Sequence, residues 1–420
     1  MLTSMVRSTH GDERGQMAFT MILTLLVVFL FFALAFDAGL WYLDHRNAQN
    51  EADAAALAGA LELPDPSAAT LKAQAWLTQN GASLADATVT VPPDNSYVKV
   101  QVRRDAPGVF AVLSGINAVK ISASATAKRI AQPVPYSLMA MDPSACGSFY
   151  LNGNALINVQ GSGASAGTYT RSNCSTAITI SGGNGVLKAQ GNNDEVGGAT
   201  GNCTSGAQCT PVPTPQDYLD DPFAGVPVPP LSFASCPKNV KVNSGATLTL
   251  NPGCYDGLQV LGTLKLNPGV YVLTGGLSTS GNTAVVQSVG GVLFYVTCGD
   301  ANGLPKSCNG ANPTQFTTSG QATFSLQGMP GHPAYENLTI FVDRTAGPAI
   351  AVDITGNGSS TMTGGIYAIS SGVRITGNGG TLNLQIAVVA NTLEFKGNGT
   401  VNVTYDTSLI PPEYKLALTE

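Results

Sequence analysis

Gly245-Ala-Thr-Leu-Thr-Leu-Asn-Pro-Gly-Cys-Tyr255 is echoed at once by Gly262-Thr-Leu-Lys-Leu-Asn-Pro-Gly-Val-Tyr271. Apolar and polar residues alternate in both copies, a period that an extended strand turns into one buried and one wetted face. Asn-Pro-Gly then ends each strand, because proline removes a ladder donor and glycine accepts left-handed backbone angles. Further on, Gly356-Asn-Gly358, Gly377-Asn-Gly379 and Gly397-Asn-Gly399 recur at spacings of 21 and 20 residues. Alternating segments follow them, such as Thr381-Leu-Asn-Leu-Gln-Ile386 and Thr400-Val-Asn-Val-Thr-Tyr405. A period near 20 residues matches one coil of a parallel β-solenoid. A β-sandwich with ordinary turns competes, and the periodicity favours the solenoid. Residues 134–420 are therefore expected to form a right-handed parallel β-helix.

The stretch from Gly197 to Pro230 breaks this pattern. It holds Cys203, Cys209 and several prolines, among them 211, 213, 215, 227, 229 and 230, and is expected to be a loop laid over the coils. All eight cysteines lie between Cys146 and Cys308, an even count without C-x-x-C spacing. That pattern points to disulfides and an oxidising, extracytoplasmic compartment. Sequence neighbours, Cys203 with Cys209 and Cys298 with Cys308, are the expected pairs, since short loops close easily; the other pairings stay open.

Upstream the composition changes. Met17 to Phe36 carries no charge and no proline. About 20 helical residues at about 1.5 Å each span a hydrocarbon core of about 30 Å. The run is too long for the apolar part of a signal peptide, so an anchor is expected. Thr20 and Thr24 can bond back to helix carbonyls, and Trp41 and Tyr42 suit the interface. Arg7 and Arg14 precede the span and Arg46 follows it, a bias toward a cytoplasmic N-terminus. The helix is expected to continue through alanine-rich Asn47–Ala60 to about residue 63, where Pro64 and Pro66 stop it. Small residues there let neighbouring helices approach. Residues 64–133 read as a small α/β domain: a helix over 68–79 ended by Asn80-Gly81, strands at 88–91 and 97–102 around Pro92-Pro-Asp-Asn-Ser96, a short helix at 109–113 closed by Gly115, and a strand at 119–127. The expected order is a lead at 1–15, a transmembrane and juxtamembrane helix at 16–63, the α/β domain at 64–133 and the solenoid at 134–420.

Arg14-Gly15, the span, Asp37-Ala-Gly-Leu-Trp-Tyr42 and Gln49-Asn-Glu-Ala-Asp-Ala-Ala-Ala-Leu-Ala-Gly-Ala60 together resemble the N-terminal region of TadE/TadG-like proteins of the Flp (Tad) pilus assembly system. The unit at 67–130 is similar to a short domain that follows in TadG-like chains, and the Asn-Pro-Gly-Val-Tyr and Gly-Asn-Gly turns resemble the C-terminal region of a subset of them. The resemblance implies a pseudopilin-like or accessory protein of a type IV-related pilus machine. Two departures matter. A von Willebrand type A metal site needs D-x-S-x-S, and Asp142-Pro-Ser-Ala-Cys146 lacks the second serine. Cleavage after Gly15 would place Thr20 where related pseudopilins carry Glu, so processing is not expected.

Charged residues make up only 11% of the chain and the net charge of −6 is spread without a run, which leaves no basic patch for nucleic acid. His10, His45 and His332 are far apart. Asp217, Asp220 and Asp221 fall in the proline-rich excursion and read as solvated loop charges. Asp353, Arg374 and Glu394 fall at corresponding positions of successive coils and read as outward charges with weak pairing. No catalytic, cofactor-binding or metal residue is therefore expected, and no cofactor. The sequence predicts a membrane-anchored accessory component or minor pilin of a Tad/Flp-type pilus, not an enzyme, with a β-solenoid displayed outside the membrane. Its expected partners are pilin-like or Tad assembly proteins met through the N-terminal helix, the membrane, and surface glycans. The alternative is a membrane-tethered carbohydrate-binding or carbohydrate-cleaving β-helix protein.

Overall fold

The alternating segments become strands, and nearly all of them join one 23-stranded sheet. The computed structural model describes residues 13–161, 163, 165–319, 322–356, 359–377 and 380–419. The expected lead at 1–15 falls mostly outside them, as do Arg7, His10, Asn357-Gly358 and Asn378-Gly379. Two compact units result: Met1–Ile130 with Lys415–Glu420, and Ala131–Tyr414.

In the first unit, helix α1 (Glu13–Leu61) and helix α2 (Pro66–Gln79) pack on a four-stranded sheet in the order β1 (Ala87–Thr90), β2 (Tyr97–Pro107), β3 (Ala118–Pro133) and the C-terminal strand Pro412–Thr419, with β1–β2 and β2–β3 antiparallel. Asp65 caps α2 by accepting from the Ser67 and Ala68 amides. Gly81, at φ +86°, lets the chain turn after it. Valines 98, 100 and 102 of β2 face alanines 123, 125 and 127 of β3 in the core. The fourth strand departs from the expected boundaries, which place residues 412–419 in the solenoid. Their alternation is equally compatible with either sheet, and Leu416 packs on this core.

The second unit is built from three columns of parallel strands, and consecutive chain segments enter the columns in turn. One column runs through 253–255, Gly269–Leu273, 292–296, Leu338–Val342, 365–368 and 387–390. It does not end there. Val388 pairs with Leu138, and the column continues through Leu138–Ala140, Thr168–Thr170, Asn193–Glu195 and Thr214–Pro215. The other two columns make the same junction, with Phe395 beside Leu151 and Val401 beside Ile157. The strands at 138–215 thus stack on the far end of those at 238–405.

This order requires the chain to return from one end of the stack to the other between Pro215 and Lys238. Ten strands at about 4.8 Å make about 45 Å, and the 22 residues from 216 to 237 can reach about 70 Å when extended. The proline-rich segment is that return. Tyr169 donates its hydroxyl to the Asp217 carbonyl and accepts from the Leu219 amide. Tyr367 donates to Asp221 at 2.6 Å, Arg344 donates to the Phe223 and Val226 carbonyls, and Cys236 is bonded to Cys254. The expected loop over the strands is present as a strap along one column. That column is apolar on both sides, as Val292-Leu-Phe-Tyr-Val296 shows, because its outer face is buried beneath the strap.

The repeated turns stack. The Tyr271 hydroxyl bonds the Leu250 and Asn267 carbonyls, Tyr255 bonds that of Asn251, and the Asn267 side chain donates to that of Asn251 at 2.7 Å. Gly269 has φ +137°, and a Cβ there would fall 2.4 Å from Pro252. Gly269→Val is therefore expected to cost about 3 kcal/mol through backbone strain and overpacking, read as a lower urea midpoint. Tyr271, Phe294 and Phe316 continue as an aromatic row inside the columns, with centroids 5.8 and 5.1 Å apart.

Candidate membrane and assembly site

Helix α1 has two halves of opposite fate. Side chains 17–32 are all exposed although all but Thr20 and Thr24 are apolar, and among the described residues α1 is the helix long and apolar enough to cross a membrane, with a mean hydropathy of 2.8 in its most apolar window. Thr20 and Thr24 bond the Met17 and Thr20 carbonyls at 3.0 and 2.8 Å, which removes their polar cost within the helix. Beyond residue 47 the helix turns inward. Ala48, Ala52, Ala55, Ala56 and Ala60 are fully buried. A Cβ on Gly59 would lie 2.9 Å from the Ala69 carbonyl of α2. The small residues do admit a close helix, but the helix is α2 of the same chain. This corrects the expectation that the alanine stretch is free to meet other pilin-like helices; spacing alone does not reveal which neighbour fills a groove.

Between the halves lies Asp37, 2% exposed. Its carboxylate accepts from the Val109 amide at 2.8 Å, the Phe110 amide at 3.0 Å and the Ala111 amide at 2.6 Å. These three donors begin a single 3-10 turn, Ala111–Ser114, which Gly115 closes at φ +85°. Phe36 meets Phe110 edge to face at 5.8 Å. Farther along α1, Arg104 of β2 holds Glu51 through both carboxylate oxygens at 2.9 and 2.7 Å. The acidic residues of this segment thus tie α1 to its own unit.

Residues 15–62 match the family model Tad, described as putative Flp pilus-assembly TadE/G-like. The Tad segment coincides with α1 and includes Asp37, Glu51 and the buried alanines. No curated protein and no solved structure matches the chain.

Asp217 and Asp220 are exposed on the strap, whereas Asp221 latches it to Tyr367. Arg374 joins Glu394 at 2.7 Å and Asp353 at 3.1 Å across adjacent strands in register, and Lys396 adds to Glu394 at 2.8 Å. The three coil charges converge as a ladder, and Glu394 also lines a pocket with Tyr150, Thr179 and Thr392. Burial opposes the Arg374 charge, but the hydrogen bond and field of Glu394, then Asp353, outweigh it and raise its pKa. Burial likewise works against ionised Glu394, but Lys396 and Arg374 hold its pKa below 4.5. Its contribution is therefore full above the ordinary carboxylate value and is lost as the pH falls through the lower folded value, so Glu394→Gln should remove about 1 kcal/mol of stability, an effect that urea titrations should show at neutral pH and lose in acid.

His332 caps a turn by accepting from the Ala334 and Tyr335 amides, and burial lowers its pKa. Asp142 caps the turn that leads to Cys146. The buried Asp194 is bonded by Tyr136 and Thr214. Burial, followed by the Asp194 hydrogen bond, pushes the Tyr136 hydroxyl up to about 12. Beside them, burial alone raises the pKa of Glu195. Among the described residues no three His, Cys, Asp or Glu side chains converge to hold a metal. Four disulfides, Cys146–Cys174, Cys203–Cys209, Cys236–Cys254 and Cys298–Cys308, use all eight cysteines. The two sequence-neighbour pairs are as expected.

Asp37 was legible in the sequence only as part of a motif, because its partners lie 72 to 74 residues away. The strap-covered face was missed. Its signal was present in runs such as Val292-Leu-Phe-Tyr-Val296 and Leu338-Thr-Ile-Phe-Val342, which are apolar without alternation.

Proposed function

We propose that this chain is a membrane-anchored accessory component or minor pilin of a Tad/Flp-type pilus, and that it works by binding and scaffolding without catalysing a reaction. The observation that carries this is the coincidence of the Tad match with a helix whose apolar half is wholly exposed. The anchor is residues 17–36, and the bulk of the chain lies on the extracytoplasmic side. Four disulfides favour that side, since oxidised pairs persist there. The three-column unit is a parallel β-solenoid, right-handed by the usual rule for parallel crossovers. Its rows of turns and neutral polar side chains offer repeated contacts for assembly or adhesion. Contact with pilin-like partners uses the exposed apolar half of α1, since the alanine half is occupied within the chain.

The test is photocrosslinking in a bacterium that carries the chain together with a Tad machine. A crosslinker at Phe29 or Phe32 is expected to trap Tad pilins or inner-membrane Tad proteins, identified by mass spectrometry. Crosslinks confined to lipid, with piliation unchanged when the gene is removed, would overturn the proposal.

A further inference from the structure

The β2–β3 hairpin ends in an apolar tip whose neighbours are the last residues of the apolar run. Asp105 and Lys120 face each other across the hairpin, and residues 106–119 beyond them carry no charge. At the tip Val109, Phe110, Val112, Leu113 and Ile116 are all exposed, Leu113 by 87%. Large apolar side chains gathered at one loop tip mark a surface that something covers. Leu113 and Ile116 share a groove with Leu30, Ala33 and Leu34 of α1. Leu30 is six residues before Phe36, about 9 Å along the helix axis. The tip therefore lies at the depth of the apolar run, continuous with its exposed surface.

Backbone chemistry agrees. A loop enters hydrocarbon only when its polar groups are satisfied internally. Here the amides of residues 109, 110 and 111 go to Asp37. Those of Leu113, Gly115 and Ile116 bond the carbonyls of Phe110, Val112 and Ala111, and the Ser114 hydroxyl bonds the Ala111 carbonyl.

We infer that the 109–116 tip inserts into the bilayer leaflet on the Asp37 side of the span, so that the first unit holds the membrane at two points and its orientation on the surface is fixed by lipid as well as by α1. The inference rests on reading α1 as a membrane span. An insertion of about 5–10 Å is what amphipathic surface segments reach, and it matches the place of the tip beside Leu30–Leu34.

All eight native cysteines are paired, so a single introduced cysteine can be labelled selectively. The experiment uses the full chain in nanodiscs with an environment-sensitive fluorophore at Phe29→Cys, Leu113→Cys or Asp94→Cys, and doxyl-labelled lipid as quencher. Leu113 is almost fully exposed, so its replacement leaves the packing intact. The expected result is quenching at Leu113 within about twofold of Phe29 and at least about fivefold above Asp94, which lies at the β1–β2 turn. Quenching at Phe29 with Leu113 no better than Asp94 would overturn the inference and leave the span standing. Absence of quenching at Phe29 would overturn the span and the inference with it.

Discussion

Tyr367→Ala is expected to lower the stability of the second unit by about 4 kcal/mol and to expose the strap to protease. Tyr367 is fully buried, and removing a buried aromatic ring costs about 3–5 kcal/mol. Its ring lies 5.0 Å from Phe341 and edge-on to Phe223 of the strap at 5.5 Å. Its hydroxyl donates to Asp221 and accepts from Arg344 at 2.8 Å. Truncation leaves a cavity under the strap and takes one hydrogen-bond partner each from Asp221 and Arg344. Tyr367→Phe keeps the ring and should cost only about 1–2 kcal/mol. Urea denaturation gives the energies, and limited proteolysis should nick Tyr367→Ala first between residues 216 and 237. A midpoint within about 0.5 kcal/mol of wild type, with the strap still resistant, would contradict the account of the return segment.

Asp37→Ala should cost the first unit about 3 kcal/mol. Each bond from an amide to a buried carboxylate contributes about 1.5–3 kcal/mol, and the contributions of three donors sharing one acceptor are not additive. The loss leaves the Val109, Phe110 and Ala111 amides without acceptors beside an apolar helix. Hydrogen exchange on the full chain in nanodiscs should show those amides losing protection while the β2–β3 ladder keeps it. Asp37→Asn should lie between, because its amide group presents a single acceptor oxygen. Unchanged exchange at 109–111 in Asp37→Ala would remove the clamp from the account.

Much of this architecture can be read locally. Strand alternation, the Asn-Pro-Gly-x-Tyr turns, the stop at Asn80-Gly81 and the two short disulfide loops depend on neighbours in the sequence, so the residues themselves announce them. The ladder of Asp353, Arg374 and Glu394 follows from spacings of 21 and 20 residues once the strands are parallel. What escapes is the identity of distant partners. Period and alternation make Val388 and Leu138 strand residues, but nothing local says that they pair across 250 positions. The same limit applies to α1, whose alanines announce a close neighbour without saying that it is α2. It applies to Asp37, and to the last strand, whose alternation suits either sheet. The prolines of the strap were visible as a break in the pattern, while their role follows from the stacking order they make possible.

The proposed role makes this chain a membrane-anchored component of a Tad-type pilus machine. Counting surface pili by electron microscopy in a strain deleted for the gene tests it most directly. Deletion is expected to reduce Flp-type pili at least about tenfold, with recovery by the full chain and none by a chain whose residues 17–36 are replaced with a cleavable signal peptide that exports it unanchored. Normal piliation in the deletion strain, or full rescue by the unanchored chain, would contradict it.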